Sequence, residues 1–245
     1  MTTMANGVPV QVPTPASTGT TGAAAAQPPP PNRVALVMVP SSALQGYMIH
    51  ATTTAHEEVM GLILGDWIDI PPTSMEDTAT PESIADVMCF LVQRRLDKRP
   101  DRVELAPEQL IEAAAHAEQL SVTTGKRVRV IGWYHSHPNI TVQPSHVDVG
   151  TQRTQQLMDG RFIGLIMSVF HSDHSTHAQQ QRLIAFQTNN MVNTFLPIPI
   201  SVYYDPISPP TAAMLASVPR TLYGELVDEH DRLVGAGTAA VCLFF

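Results

Sequence analysis

The chain predicts an α/β fold: a mixed, curved β-sheet with helices on both sides. Apolar runs of strand length alternate with segments of helical periodicity, without the regular strand-helix-strand repeat of a parallel sheet. The 245 residues, 44% of them hydrophobic, suffice for one domain with a sizeable core. There is no internal repeat.

Residues 1–32 are rich in Thr, Ala, Gly and Pro and nearly free of charge, so they are expected to be disordered. No basic stretch precedes an apolar core there, which argues against a secretory signal. A plastid-type transit peptide is the other reading of that composition. Pro28–Pro31 reads as a spacer before it reads as a docking site for a polyproline reader. Residues 33–205 form the expected folded domain, and 206–245 a linker, one helix and an apolar tail, GAGTAAVCLFF.

Within the domain, Val34–Val39 reads as a strand, and Pro40-Ser41-Ser42 opens a helix reaching about Thr53. Val59–Trp67 is a buried strand, the acidic Asp66–Glu82 a loop, Ala85–Gln93 a strand and Arg94–Arg102 a charged turn. Pro107–Thr124 is a helix whose stripe is Leu110, Ala113, Ala114, Ala117 and Leu120, closed by Gly125. Arg127–Tyr134 is a strand, stopped by Pro138, and a helix runs from Ser145 through Met158 to Gly160. Phe162–Phe170, Leu183–Gln187 and Ile198–Tyr204 are further strands, and Val218–Leu233 a helix.

A net charge of −8 argues against a nucleic-acid-binding surface. No stretch reaches the ~20 apolar residues that span a bilayer. With only Cys89 and Cys242, the natural reading is a reduced intracellular protein in which Cys89 is a small buried hydrophobe.

The chemistry concentrates in WYHSHPNITVQPSHVD, Trp133 to Asp148. His135 and His137 are two apart, so on an extended segment both imidazoles project to one side. Ser145-x-x-Asp148 after Pro144 reads as a first helical turn that returns a carboxylate to the same point. Two nitrogens and one carboxylate oxygen leave the fourth position of a tetrahedral zinc open, the pattern of a catalytic site. Taken alone, Ser145 and Asp148 are an ordinary helix-start pair, and it is the conjunction that points to a metal. His171, His174 and His177 recur in HSDHSTH, where a solvated hairpin loop is the better explanation. His146 beside Ser145 is no hydrolase dyad, because adjacent helical residues point apart.

His-x-His-Pro followed by Ser145-x-x-Asp148 resembles the signature of the JAMM (MPN-plus) metalloprotease family. That family's upstream glutamate is matched by Glu58, directly before Val59-Met60-Gly61, with Glu57 its neighbour and second candidate. Asp97–Leu110 and Gly132–Gln152 further resemble the lysine-63-specific deubiquitinase subunits of the BRISC and BRCA-associated complexes, with similarity over roughly Ser42 to Tyr204. The resemblance implies an MPN-type α/β domain and one zinc ion held by His135, His137 and Asp148. It also implies hydrolysis of isopeptide bonds in ubiquitin chains, preferably lysine-63-linked.

Glu58 is then expected to move the proton of the attacking water, and Ser145 to offer its hydroxyl to the oxyanion. The same resemblance implies an inactive MPN-type scaffold partner, a cytoplasmic and nuclear location, and a place in DNA repair. Relatives continue into a long coiled coil, which the apolar tail does not resemble. A non-catalytic scaffold therefore stays open, and so do a deneddylase and a small-molecule metallohydrolase, which would share the metal chemistry.

Overall fold

The computed structural model describes residues 33–71, 82–95, 107–172, 179–189 and 194–235. Residues 1–32, most of the turn at Arg94–Arg102, His174, His177 and the apolar tail lie outside the described residues, as does most of Asp97–Leu110.

Twelve elements follow one another: β1 (Arg33–Pro40), α1 (Ser41–Ala51), β2 (Met60–Ile70), β3 (Glu82–Val92), α2 (Pro107–Thr124), β4 (Arg129–Pro138), α3 (His146–Gln156), β5 (Ile163–Ser172), β6 (Gln179–Asn189), β7 (Thr194–Ile198), β8 (Ile200–Tyr203) and α4 (Pro209–Gly235). The eight strands form one sheet in the order β7-β6-β5-β4-β2-β3-β1-β8. β4 pairs parallel with β5 and antiparallel with β2, so the sheet is mixed at its centre. It curls far enough for the Val34 amide of β1 to reach the Gln187 side chain of β6 at 2.9 Å.

Helices cover both faces, as the alternation predicts. Tyr47 and Ala51 of α1 and Met214 and Val218 of α4 pack with Val37, Phe90 and Tyr134 in one core. Ala113 and Ala117 of α2 pack with Leu62, Trp133 and Leu64 on the other face. The sheet's central strands are therefore apolar on both sides, and β2 is buried continuously from Met60 to Gly65. Gly61 is required by close approach: a Cβ there would stand 2.4 Å from the Leu91 carbonyl oxygen and 2.4 Å from the Tyr134 ring. Among the described residues no helix is long and apolar enough to cross a membrane.

Several sequence boundaries move. β2 continues to Ile70 where a loop was expected from Asp66, because Arg127 (2.7 Å) and Arg129 (2.6 Å) neutralise Asp66 and the ladder to β3 runs on. β4 does not stop at Tyr134. Pairing with β5 carries it through both histidines to Pro138, a terminal position where proline's missing N–H costs nothing.

α3 ends at Gln156, where the Leu157 and Met158 amides close tighter turns onto Thr154 and Gln155. Leu183–Gln187 is the buried half of a longer β6. Ile198–Tyr204 is two strands divided at Pro199, whose carbonyl accepts from the Val37 amide. α4 starts at Pro209, where prolines suit a first turn, and it tolerates Pro219 in its interior. In α2, whose span matches the expected one, Ala114 is exposed and Gln109 buried in its place. Gly125, with φ +66°, accounts for that helix's end.

Candidate metal centre

β4 delivers the donors. Trp133, His135 and His137 alternate onto one face, and the Trp133 and His135 rings stack at 4.7 Å and 10°. The Tyr47 hydroxyl of α1 donates to the His135 carbonyl at 2.5 Å, which fixes the backbone at the first histidine. β4 then turns at Asn139, whose φ of 61° is one that asparagine adopts more readily than most non-glycine residues. The Asn139 amide nitrogen donates to the Ala55 carbonyl at 2.9 Å, tying the end of β4 to the loop before Glu58.

α3 delivers the carboxylate. Ser145 is its N-cap, and the capping box is reciprocal. The Asp148 amide donates to Ser145 Oγ at 3.2 Å, and the Ser145 amide donates to Asp148 Oδ2 at 2.6 Å. The helix is seated by Gln152, fully buried, which accepts from Trp133 Nε1 at 2.7 Å and donates to the Phe162 carbonyl at 2.6 Å. One polar side chain thus locks α3 to both β4 and the start of β5.

The three donors converge. His135 Nε2 lies 3.0 Å from His137 Nε2 and 3.2 Å from Asp148 Oδ1, and His137 Nε2 lies 3.5 Å from Asp148 Oδ2. All three residues are buried. A tetrahedral zinc with ligands at about 2.0–2.2 Å separates its donors by about 3.3–3.6 Å, a spacing close to these contacts, which reach both Asp148 oxygens.

Chemistry agrees with size. His137 Nδ1 donates to the Thr141 carbonyl at 2.7 Å, which leaves its Nε2 lone pair facing the carboxylate. Two acceptors aimed at each other call for a cation between them. Burial alone would raise the Asp148 carboxyl, but hydrogen bonds to His135, His137 and Ser145 outweigh it and hold the group well below the usual carboxylate range. Burial likewise opposes charge on His137, yet Asp148, the Thr141 carbonyl and Glu58 overcome it and raise that imidazole. The field that favours a proton there equally favours a metal cation.

Glu58 is buried on the far side of His137, its Oε1 3.8 Å from His137 Nε2. Its position follows from Ser136, which lies between the two histidines. Ser136 Oγ accepts from the Val59 amide at 3.0 Å and the Ser136 amide donates to the Val59 carbonyl at 2.9 Å. Donors and glutamate are therefore fastened to each other through adjacent chain segments. The five residues singled out from the sequence, Glu58, His135, His137, Ser145 and Asp148, all meet at this point. His146 is exposed beside the site and His171 lies at the exposed end of β5. Sequence reading missed Ser136, Tyr47 and Asn139. Only Ser136 carried a signal, its place inside His-x-His.

Fold and site together define an α/β protein built around a buried cluster of metal-type donors on a central strand. Residues 32–161 match the family described as JAB1/Mov34/MPN/PAD-1 ubiquitin protease, and the chain belongs to that family. Among its relatives are proteins called Lys-63-specific deubiquitinase BRCC36. The Camponotus floridanus protein is 45% identical over 157 residues, covering 63% of this chain and 57% of its own length. Those of Pongo abelii and Homo sapiens are each 42% identical over 167 residues, covering 63% of this chain and 68% and 53% of their own lengths. The chain thus spans between about half and two thirds of the relatives it matches. The resemblance read from the motif residues holds.

Proposed function

We propose that the chain is a zinc-dependent isopeptidase that hydrolyses ubiquitin chains, preferentially lysine-63-linked. The observation that carries this is the convergence of His135, His137 and Asp148 within 3.5 Å of one another beside a buried Glu58. The names of the relatives support the substrate class.

His135 Nε2, His137 Nε2 and Asp148 would hold the metal. A bound zinc would supply Lewis acidity, lowering the pKa of its water to about 7. Glu58 takes a proton from the attacking water and returns it to the departing lysine amine, a role worth roughly 10²–10⁴ in rate. Ser145 uses an oxygen lone pair for the Asp148 amide, so its hydroxyl proton stays available to the oxyanion. Capping and catalysis then coexist in one side chain. An MPN-type scaffold partner belongs to this reading. α4 turns Tyr223, Leu226 and Val234 to solvent, a stripe of the kind a second helix covers.

The test compares cleavage of lysine-63-linked and lysine-48-linked diubiquitin by wild type, Glu58→Gln and chelator-treated protein, alone and with an MPN partner. Lysine-63-selective turnover that both treatments abolish is the expected result. No turnover under any condition by a zinc-loaded chain would overturn the enzyme reading and leave a scaffold.

A further inference from the structure

Glu58 stands on the short connection between the bend at Glu57 and the start of β2. Its C-terminal side is hitched to β4 by the two Val59–Ser136 bonds. Its N-terminal side is held by a charge cluster that the reaction does not itself use. Arg95, just beyond β3, keeps only 8% of its side chain exposed and donates to Glu57 Oε2 at 2.7 Å. The same guanidinium donates to Glu225 Oε2 of α4 at 2.5 Å and, through Nε, at 3.0 Å, while the Arg95 amide takes Glu225 Oε1 at 2.8 Å. Glu225 is itself buried. Arg94 adds a second tie to α4, donating to the Gly224 carbonyl at 2.6 Å and pairing with Asp228.

Glu57 and Glu58 share a peptide bond, so a chain segment tied at the Glu57 carboxylate on one side and at Val59 on the other leaves the Glu58 backbone little freedom. We propose that Arg95 is a positioning residue: anchored by Glu225 of α4, it fixes Glu57 and thereby the direction of the Glu58 carboxylate. The proposal rests on the reading of Glu58 as the proton-transferring group. It makes α4, whose body packs against the opposite face of the sheet from α2, part of the active site's support. The forked guanidinium is what the geometry uses, since one planar group spans two carboxylates from different elements; an ammonium could serve only one well.

The test uses the full chain and reads two quantities. Hydrogen exchange of residues 54–60 is compared with that of 129–138 in zinc-free protein. Then kcat, KM and zinc per chain are measured on lysine-63-linked diubiquitin. Glu57→Gln changes a half-exposed residue and leaves the Arg95–Glu225 pair intact, so folding is preserved. It is expected to speed exchange in 54–60 alone and to lower kcat by about 10- to 100-fold, with zinc content unchanged and KM within about twofold. Arg95→Lys should retain more kcat than Arg95→Gln, and Arg127→Gln, on an exposed pair, should match wild type in every readout. Wild-type exchange or wild-type kcat in Glu57→Gln would overturn the proposal. Should wild type itself fail to cleave, the isopeptidase reading falls, and exchange alone decides the clamp: faster exchange confined to 54–60 sustains it, and unchanged exchange sinks it.

Discussion

Two buried charge clusters lie within one residue of each other along the chain, at Glu58 and at Glu57, and they are built on opposite principles. Around Arg95 the hydrogen bonding is closed: a guanidinium meets two carboxylates with its fork filled. Around Asp148 the partners are two imidazoles and a backbone N–H, with donor atoms 3.0–3.5 Å apart and lone pairs facing inward. The first cluster is satisfied by the protein itself. The second is finished only by a cation. Arg95 and Glu225 are as buried as the histidines and Asp148, so burial alone does not mark a functional site; the balance of donors and acceptors does.

The comparison breaks most completely if Asp148 is changed. Asp148→Ala removes one of the three proposed donors and is expected to bring zinc content, measured by elemental analysis, close to zero and hydrolysis to background. Arg95→Met should behave differently, since it strands two carboxylates with no metal to lose. A stability loss of about 3–5 kcal/mol in urea unfolding is expected, with zinc still bound in the folded fraction.

His50 sharpens the contrast by a smaller step. It is buried under β4 against the Tyr134 hydroxyl at 3.0 Å, and burial chiefly, with Arg95 adding and Glu225 opposing, lowers its pKa to about 4. A folded pKa below the ordinary 6.5 means that its contribution is full above 6.5 and is lost as pH falls towards 4. In chelator, wild type should lose about 2 kcal/mol more than His50→Asn between pH 7 and pH 5. The smallest effect belongs to Arg127→Gln, whose urea-unfolding midpoint should match wild type because water screens its exposed pair with Asp66 and Arg129 remains on Asp66.

The candidate donors, which the structure brings together, were legible because coordination restricts residue type and spacing at once: His135 and His137 share a face by strand geometry, and Ser145-x-x-Asp148 reads as a helix start. α2 was legible for a similar reason, bracketed by Pro107 and Gly125. What escaped depended on distant partners. Asp66–Ile70 reads as an acidic loop until Arg127 and Arg129 come to it from β4's side of the sheet. Arg95 reads as part of a charged turn, and nothing near it in the sequence announces Glu225, which is 130 residues away. The full length of α4 was hidden by its prolines, which break helices in isolation but are carried here by packing of Met214 and Val218 into the core.

The tie between Arg95 and Glu225 has a consequence for synthesis. A chain emerges from the ribosome N-terminal end first, and β2, β4 and the turn into α3 are all outside before Glu225 has been made. The metal donors can then assemble while Arg95 still lacks its anchor and Glu57 has no fixed guanidinium to hold it. On the proposed reading, metal capture and competence to act on a substrate would be separate events in the life of the nascent chain. The arrival of α4 would set the moment of the second, holding back hydrolysis until the fold that confines it is complete.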